Sequence, residues 1–136
     1  TQINAAFLLD ALRVGEETCA LPISAVRKIL YLDNGVPVRQ VNGEDVVLLD
    51  GECYRILNLF DFYSYATRIP YEDGIMIVVN SDVQKYVVFA NEILDRQDVV
   101  VKPAPVLFKS IRGISGCTIL GDGKISLILD TDELLT

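Results

Sequence analysis

The feature that most constrains this chain is a strand, an Asp-Gly turn, a second strand and a helix cap, found twice. Residues 111–130 read I-R-G-I-S-G-C-T-I-L-G-D-G-K-I-S-L-I-L-D. The apolar runs 118–120 and 125–129 flank Gly121-Asp122-Gly123, and Asp-Gly supplies the positive φ angles of a tight antiparallel turn. Gly113 and Gly116 mark places where the chain bends or another backbone comes close. Earlier, residues 46–49, Asp50-Gly51 and residues 53–57 repeat the pattern. Asn58 then precedes residues 59–62, and Asp130 precedes residues 131–135. Asn and Asp are good N-caps, and an acid three residues on, Asp61 or Glu133, suits a helix N-terminus. The reading is of two similar subdomains, each closed by a hairpin leading into a short helix. Asp-Gly hairpins are common, so the pattern alone leaves a chance match open.

The remaining sequence carries short strands and frequent turn signals. Residues 5–14, Gly15-Glu16-Glu17 and residues 18–21 form a first hairpin, ended by Pro22, with a single helical turn near residues 24–26. Residues 27–32 resume a strand before the turn at Asp33-Asn34-Gly35, and Pro37 places its neighbourhood at an edge or loop. Residues 38–41 and Asn42-Gly43 lead into the first Asp-Gly hairpin, and residues 59–65 form a short helix. Residues 68–74 are a connector with a proline and a glycine. Residues 75–79 read as a fully buried strand, 85–89 as its return, and 98–102 as another short strand before the proline loop at 103–111. This pattern predicts an all-β fold of small barrels. The predicted organisation is one domain over 1–136, with subdomains 1–67 and 74–130 and a C-terminal helix at 131–136.

With 136 residues, 51% of them hydrophobic, the chain can bury a sizeable core and is no candidate for disorder. No apolar run approaches the length of a membrane span, and no basic-then-apolar segment opens the chain. Residues 1–4 read as the start of an excised segment, which makes one domain of a larger protein the expectation. A net charge of −7 disfavours nucleic acid and anionic lipid as partners. Cys19, Cys53 and Cys117 are too scattered for a disulfide framework or a zinc site and are expected to be small buried hydrophobes in a reducing compartment.

The chain contains no histidine, which removes Ser-His and Cys-His nucleophiles, histidine metal ligands and a phosphoacceptor histidine within it. Residues 116–124 lack the adjacent Gly-Lys-Ser/Thr of a phosphate loop and lead into a strand. Gly113-Ile114-Ser115-Gly116 is one residue short of a nucleophile elbow, and Asp130-Thr131-Asp132-Glu133 has no calcium-loop glycine. No catalytic residue, cofactor site or metal site is therefore expected. Lys102, Lys109 and Arg112 cluster near the proline loop, either as solvated charge or as a contact for an acidic partner. Tyr31, Val36 and Val38 suit either core or interface.

Residues 111–130, with Val99-Val100-Val101-Lys102-Pro103 and the early run C-A-L-P-I-S-A-V-R-K-I-L at 19–30, resemble the CheW-like domain family. Within it the G-I-S-G-x-T-I-L-G-D-G motif is most similar to the C-terminal regulatory domain of the chemotaxis histidine kinase CheA, rather than to free-standing CheW. Two positions depart from the pattern. Asp50 stands where the family commonly has a basic turn residue associated with coupling, and Tyr54-Arg55 stands where an apolar-Pro pair is expected.

The resemblance implies two small five-stranded SH3-like β-barrel subdomains packed together, with short helices. It implies a non-catalytic, cytoplasmic adaptor, possessing no cofactor, that couples chemoreceptor tips to a histidine kinase through a CheW-like coupling protein or CheA. It also implies end-to-end pairing of subdomains through apolar edges with a polar rim. The candidate interface is Leu30, Tyr31, Val36 and Val38 in the first subdomain, with Ile111, Arg112 and Ile114 in the second. A receptor helix would lie in the groove between the barrels. A reading from another class is a small-ligand sensor, whose mark would be a pocket with convergent polar groups.

Overall fold

The computed structural model describes residues 6–31, 38–63, 68–80, 84–100, 102–103, 113–120 and 123–134. Among the described residues twelve strands form in order: β1 (Ala6–Val14), β2 (Glu17–Pro22), β3 (Val26–Tyr31), β4 (Val38–Val41), β5 (Glu44–Leu49), β6 (Glu52–Asn58), β7 (Ile75–Val79), β8 (Tyr86–Ala90), β9 (Glu92–Val100), β10 (Lys102–Pro103), β11 (Ile114–Ile119) and β12 (Ile125–Leu129). A 3-10 turn at Ile23–Ala25 joins β2 to β3, and α1 (Leu59–Phe62) follows β6. The strands make two six-stranded sheets; the short edge strands β4 and β10 bring each to one more than the five expected.

The turn chemistry explains the hairpins. Asn42 and Gly43 have φ of 53° and 81°, and Asp50 and Gly51 have φ of 50° and 78°. Each pair links strands that close at Val41↔Glu44 and Leu49↔Glu52, so both are two-residue loops with two left-handed residues, which match strand twist. Asp50 therefore suits its position locally: Asp tolerates left-handed backbone better than most residues. Its carboxylate lies 3.5 Å from Lys28 Nζ, an exposed pair worth little.

The two sheets do not divide the chain at the connector. Sheet one runs β9-β1-β2-β12-β11-β10, and sheet two runs β3-β7-β8-β6-β5-β4. The two orders correspond strand for strand. In each, an outer strand pairs with an antiparallel hairpin (β1–β2 or β7–β8), whose second strand joins a second hairpin in parallel: β2 to β12, and β8 to β6. The repeat read from the sequence is present, but each half gives its leading hairpin to the other half's sheet. The expected boundaries 1–67 and 74–130 divide the chain along its length, while the sheets interleave.

This exchange explains burial. Every residue of β7 and β8 is buried, so Ile75–Val79 and Tyr86–Ala90 show no alternation. One core cluster contains Leu12, Val14, Cys19 and Leu21 from sheet one together with Val47, Ile56, Met76 and Phe89 from sheet two. Phe89 packs edge-on against Tyr71, with centroids 4.8 Å apart, and against Phe60 at 6.2 Å. Polar ties reinforce the exchange. Asn91 N donates to Arg13 O at 2.9 Å, Asn80 N donates to Ala25 O at 2.8 Å, and the Tyr86 hydroxyl donates to Thr131 O. Asp10, 2% exposed on β1, faces Arg96 across the β1–β9 pair and accepts from its Nε at 3.0 Å.

Both expected helix caps form. Asn58 Oδ1 accepts from Phe60 N at 3.0 Å, and Asp130 Oδ1 accepts from Asp132 N at 3.0 Å. The expected C-terminal helix is, in its described part, a single turn over 131–134, closed by bonds from Glu133 N and Leu134 N to Asp130 O. Leu134 lies over Gly113, where a Cβ would come within 2.5 Å of Leu134 Cδ2 and φ is +88°. The close approach anticipated for that glycine is thus to this turn.

Two substitutions test this packing. Phe89→Ala should cost about 3–5 kcal/mol, the usual range for emptying an aromatic core site. It should shift a single transition monitored by denaturant, because both sheets share that core. Gly51→Ala meets no atom within 4 Å, so only its left-handed backbone resists and the expected cost is about 1–2 kcal/mol. Separate transitions for the two sheets would contradict the shared core.

Candidate partner interface

The candidate docking residues fall on different elements. Leu30 and Tyr31 lie on β3, and Val38 begins β4; these are the two edge strands of sheet two. Tyr31 is 68% exposed, an unusual position for so large an aromatic ring. Leu30 and Val38 are half-buried and pack against the core, with Val38 directly opposite buried Val47. Val36, Ile111 and Arg112 lie outside the described residues, as do the side chains of Lys102 and Lys109. Ile114 is 8% exposed, so its side chain belongs to the interior of sheet one and offers little surface.

The hairpin that carries Ile114 exposes other residues instead. Ile119 and Ile125 are directly paired across β11 and β12 and are 66% and 65% exposed. The adjacent pair, Thr118 and Ser126, points inward and is buried. The alternation is therefore inverted at this tip, with polar side chains inside and large apolar ones in water. Ser126 Oγ has no hydrogen-bond partner among the described residues. The signal was present in the sequence, because Thr118 and Ser126 each sit beside an isoleucine. Strand register was needed to decide which member faced out. On sheet two, Leu48 and Val41 are also exposed, at 44% and 46%, without an inverted alternation at Leu48, whose neighbours Val47 and Leu49 are buried.

Exposed charged pairs lie elsewhere, on sheet two. Lys85 Nζ lies 2.9 Å from Glu52 Oε1, and this hydrogen bond, with the accompanying charge attraction, lowers the Glu52 carboxyl pKa. Arg55 Nη2 lies 2.6 Å from Glu44 Oε1. Both pairs are largely exposed and contribute little to the stability of the fold.

A second feature lies where the sheets meet. A groove of about 320 Å³ is lined by Pro22, Ser24 and Ala25 between the sheets, Asn80 at the end of β7, and Ser115 and Asp130 on sheet one. Leu129, Thr131 and Asp132 complete the lining, and apart from buried Leu129 its side chains are small or polar, so a partner backbone can approach closely.

Known proteins share this architecture and sequence. The CheW-like domain family matches residues 11–136. This chain belongs to the CheW-like domain family. The chemotaxis protein CheA of Klebsiella aerogenes is 31% identical over 137 residues, covering 93% of the chain and 20% of that protein. The sensor histidine kinase CheAY of Helicobacter pylori is 30% identical, covering 94% of the chain and 16% of that protein. The chain thus spans about a fifth or less of the length of these curated relatives. The crystal structure of scaffolding protein TtCheW from Thermoanaerobacter tengcongensis superposes with a TM-score of 0.79 at 16% identity, covering 96% of this chain and 92% of that one. At that identity the likeness carries the fold, two SH3-like β subdomains.

The cysteines of this CheW-like domain differ in environment. Cys19 is fully buried, and burial pushes its thiol pKa up to about 12. Cys53 was expected to be buried but is exposed, because it lies on the outward face of β6 opposite Leu48. Among the described residues no cluster suits a metal ion, and no helix is long and apolar enough to cross a membrane. A thiol-specific reagent should modify Cys53 rapidly in the native protein and leave Cys19 unmodified until unfolding, as read by peptide mass spectrometry. Equal labelling rates would contradict this burial.

Proposed function

We propose that this CheW-like domain is a non-catalytic, cytoplasmic adaptor that joins a chemotaxis histidine kinase to chemoreceptors by protein docking. The partners are a CheW-like coupling protein or CheA and, through them or directly, the helical receptor tips. The observation that carries the reading is the inverted hairpin tip, with Ile119 and Ile125 exposed as a pair and Thr118 and Ser126 buried. Such a pair costs free energy in water and is recovered when a partner covers it. Tyr31 on sheet two offers a second apolar site, which fits pairing of one subdomain with the opposite subdomain of a partner. Leu30 lies beside Tyr31 on β3, Val38 lies on β4 at the other edge of the sheet, and Val36, Ile111 and Arg112 are proposed to extend the two sites.

The groove where the sheets meet is the proposed seat of a receptor helix, because its small side chains admit a helix backbone. Signalling then requires only that receptor states differ in how well they fit the docked assembly, since differential contact shifts an equilibrium.

Calorimetric titration with the coupling protein of the same organism tests the reading. Binding at micromolar or tighter is expected. Ile119→Asp and Tyr31→Asp should each weaken it by about tenfold or more, the effect of losing an interface anchor, with thermal stability unchanged. Val38→Asp should weaken binding and stability together, since Val38 also packs on the core. A folded protein that does not bind, or unchanged affinity in both surface variants, would sink the assignment.

A further inference from the structure

The groove where the sheets meet carries charge of one sign. Its lining includes the carboxylates of Asp130 and Asp132 and no lysine or arginine. Among the described residues neither carboxylate meets a cation, whereas Asp45, Asp61 and Glu52 are each paired with an arginine or a lysine. Asp130 commits only Oδ1, which accepts from Asp132 N at 3.0 Å. Asp130 is half-buried in the wall, and Asp132 is exposed.

The other polar groups lean the same way. Asn80 N donates to Ala25 O at 2.8 Å, and Asn80 Nδ2 donates to Ser24 O at 3.3 Å. Ser115 Oγ donates to Ile128 O at 3.3 Å. These donors serve the wall itself, while Asp130 Oδ2 and the Asp132 carboxylate accept no hydrogen bond among the described residues. Behind them lies Tyr86, 1% exposed, whose hydroxyl donates to Thr131 O. Burial raises the Tyr86 phenol pKa, and the carboxylates of Asp132 and Asp130 add to the rise, so their field reaches into this wall. A cleft of one sign against a low-dielectric wall concentrates its field in the space it encloses.

That polarity decides what a seated helix must carry. An acidic side chain in the groove would meet two carboxylates and no counter-charge. An apolar one would take both carboxylates out of water unpaired, which is costly. A lysine or an arginine pairs with them and supplies charge-assisted hydrogen bonds. We infer that the helix docked in this groove presents a basic side chain to Asp130 and Asp132. The inference rests on the reading of the groove as the seat of a receptor helix, and it adds the charge that the helix brings. Ser24, Ala25 and Ser115 are small, so the helix backbone lies close to the floor and its basic side chain extends along it to the turn at 131–134.

Calorimetry and stopped-flow binding of the full chain with the chemoreceptor tip fragment of the same organism test the inference. Affinity should fall as salt is raised. The double variant Asp130→Asn, Asp132→Asn keeps the capping oxygen and removes both charges. It should weaken binding by about tenfold, mainly through a slower on-rate, and flatten the salt dependence. Asp132→Lys should weaken binding further. Asp95→Asn removes an exposed charge on β9 outside the groove and should change affinity by less than about twofold. Three results would overturn the inference and leave the groove as a docking seat: unchanged affinity in the folded double variant; tighter binding in it, which means an acidic occupant; or an equal loss in Asp95→Asn. A receptor tip that does not bind the folded chain would sink the receptor reading instead. NMR titration with methylguanidinium, and with acetate as the opposite charge, then decides the inference without a receptor. Saturable shifts at Ser24, Asn80, Ser115 and residues 130–132, lost in the double variant, are expected. No such shifts, or the same shifts with acetate, would overturn it.

Discussion

The structure depends on the exchange of two hairpins. β1–β2 leaves the first repeat to sit beside β12, and β7–β8 leaves the second to sit beside β6. Each crossing is made by a short segment, as at Ile23–Ala25, so neither sheet can be completed without the other. The exchanged β7–β8 hairpin is surrounded on both faces, and its ten side chains are wholly inside. Burial of that kind is the dominant favourable contribution to folding, and here it is shared between the two halves. A division into two independently stable barrels would cut through this core.

The same arrangement leaves particular surfaces for function. With the interior committed to the exchanged hairpins, the residues free to meet a partner are on outer strands and hairpin tips. Tyr31 at the β3 edge and the Ile119–Ile125 pair at the β11–β12 tip are such positions, one on each sheet. The groove between the sheets exists because two sheets meet there, so its shape reports their relative orientation.

Local chemistry was legible and pairing was not. Asn42-Gly43 and Asp50-Gly51 announced their turns because left-handed backbone is a demand made on two residues, whatever surrounds them. Asn58 and Asp130 announced their caps for the same reason. Asp50, which stands where the family commonly has a basic turn residue, suits the left-handed backbone of the turn it occupies. The parallel pairings of β6 with β8 and of β2 with β12 join residues far apart in sequence, and no local pattern records them. The connector at 68–74 marked the end of a repeat, which is a different boundary from the edge of a sheet. Ile114 was placed at the surface and Ile119 overlooked because the strand's alternation is inverted. A register one residue out exchanges inside for outside. The lining of the groove was invisible for a similar reason: Pro22, Asn80 and Asp130 meet only after the two sheets pack.

Hydrogen exchange by mass spectrometry, on the domain alone and with its coupling protein, tests the central claim most directly. The account predicts slowest exchange in β7 and β8, the shared centre, with β1 and β2 opening together with them rather than before. On complex formation, protection should rise at β3 and at the β11–β12 tip and stay level elsewhere on the sheets. Early, independent opening of the β1–β2 hairpin would contradict the exchanged core. Protection confined to other strands would contradict the docking faces.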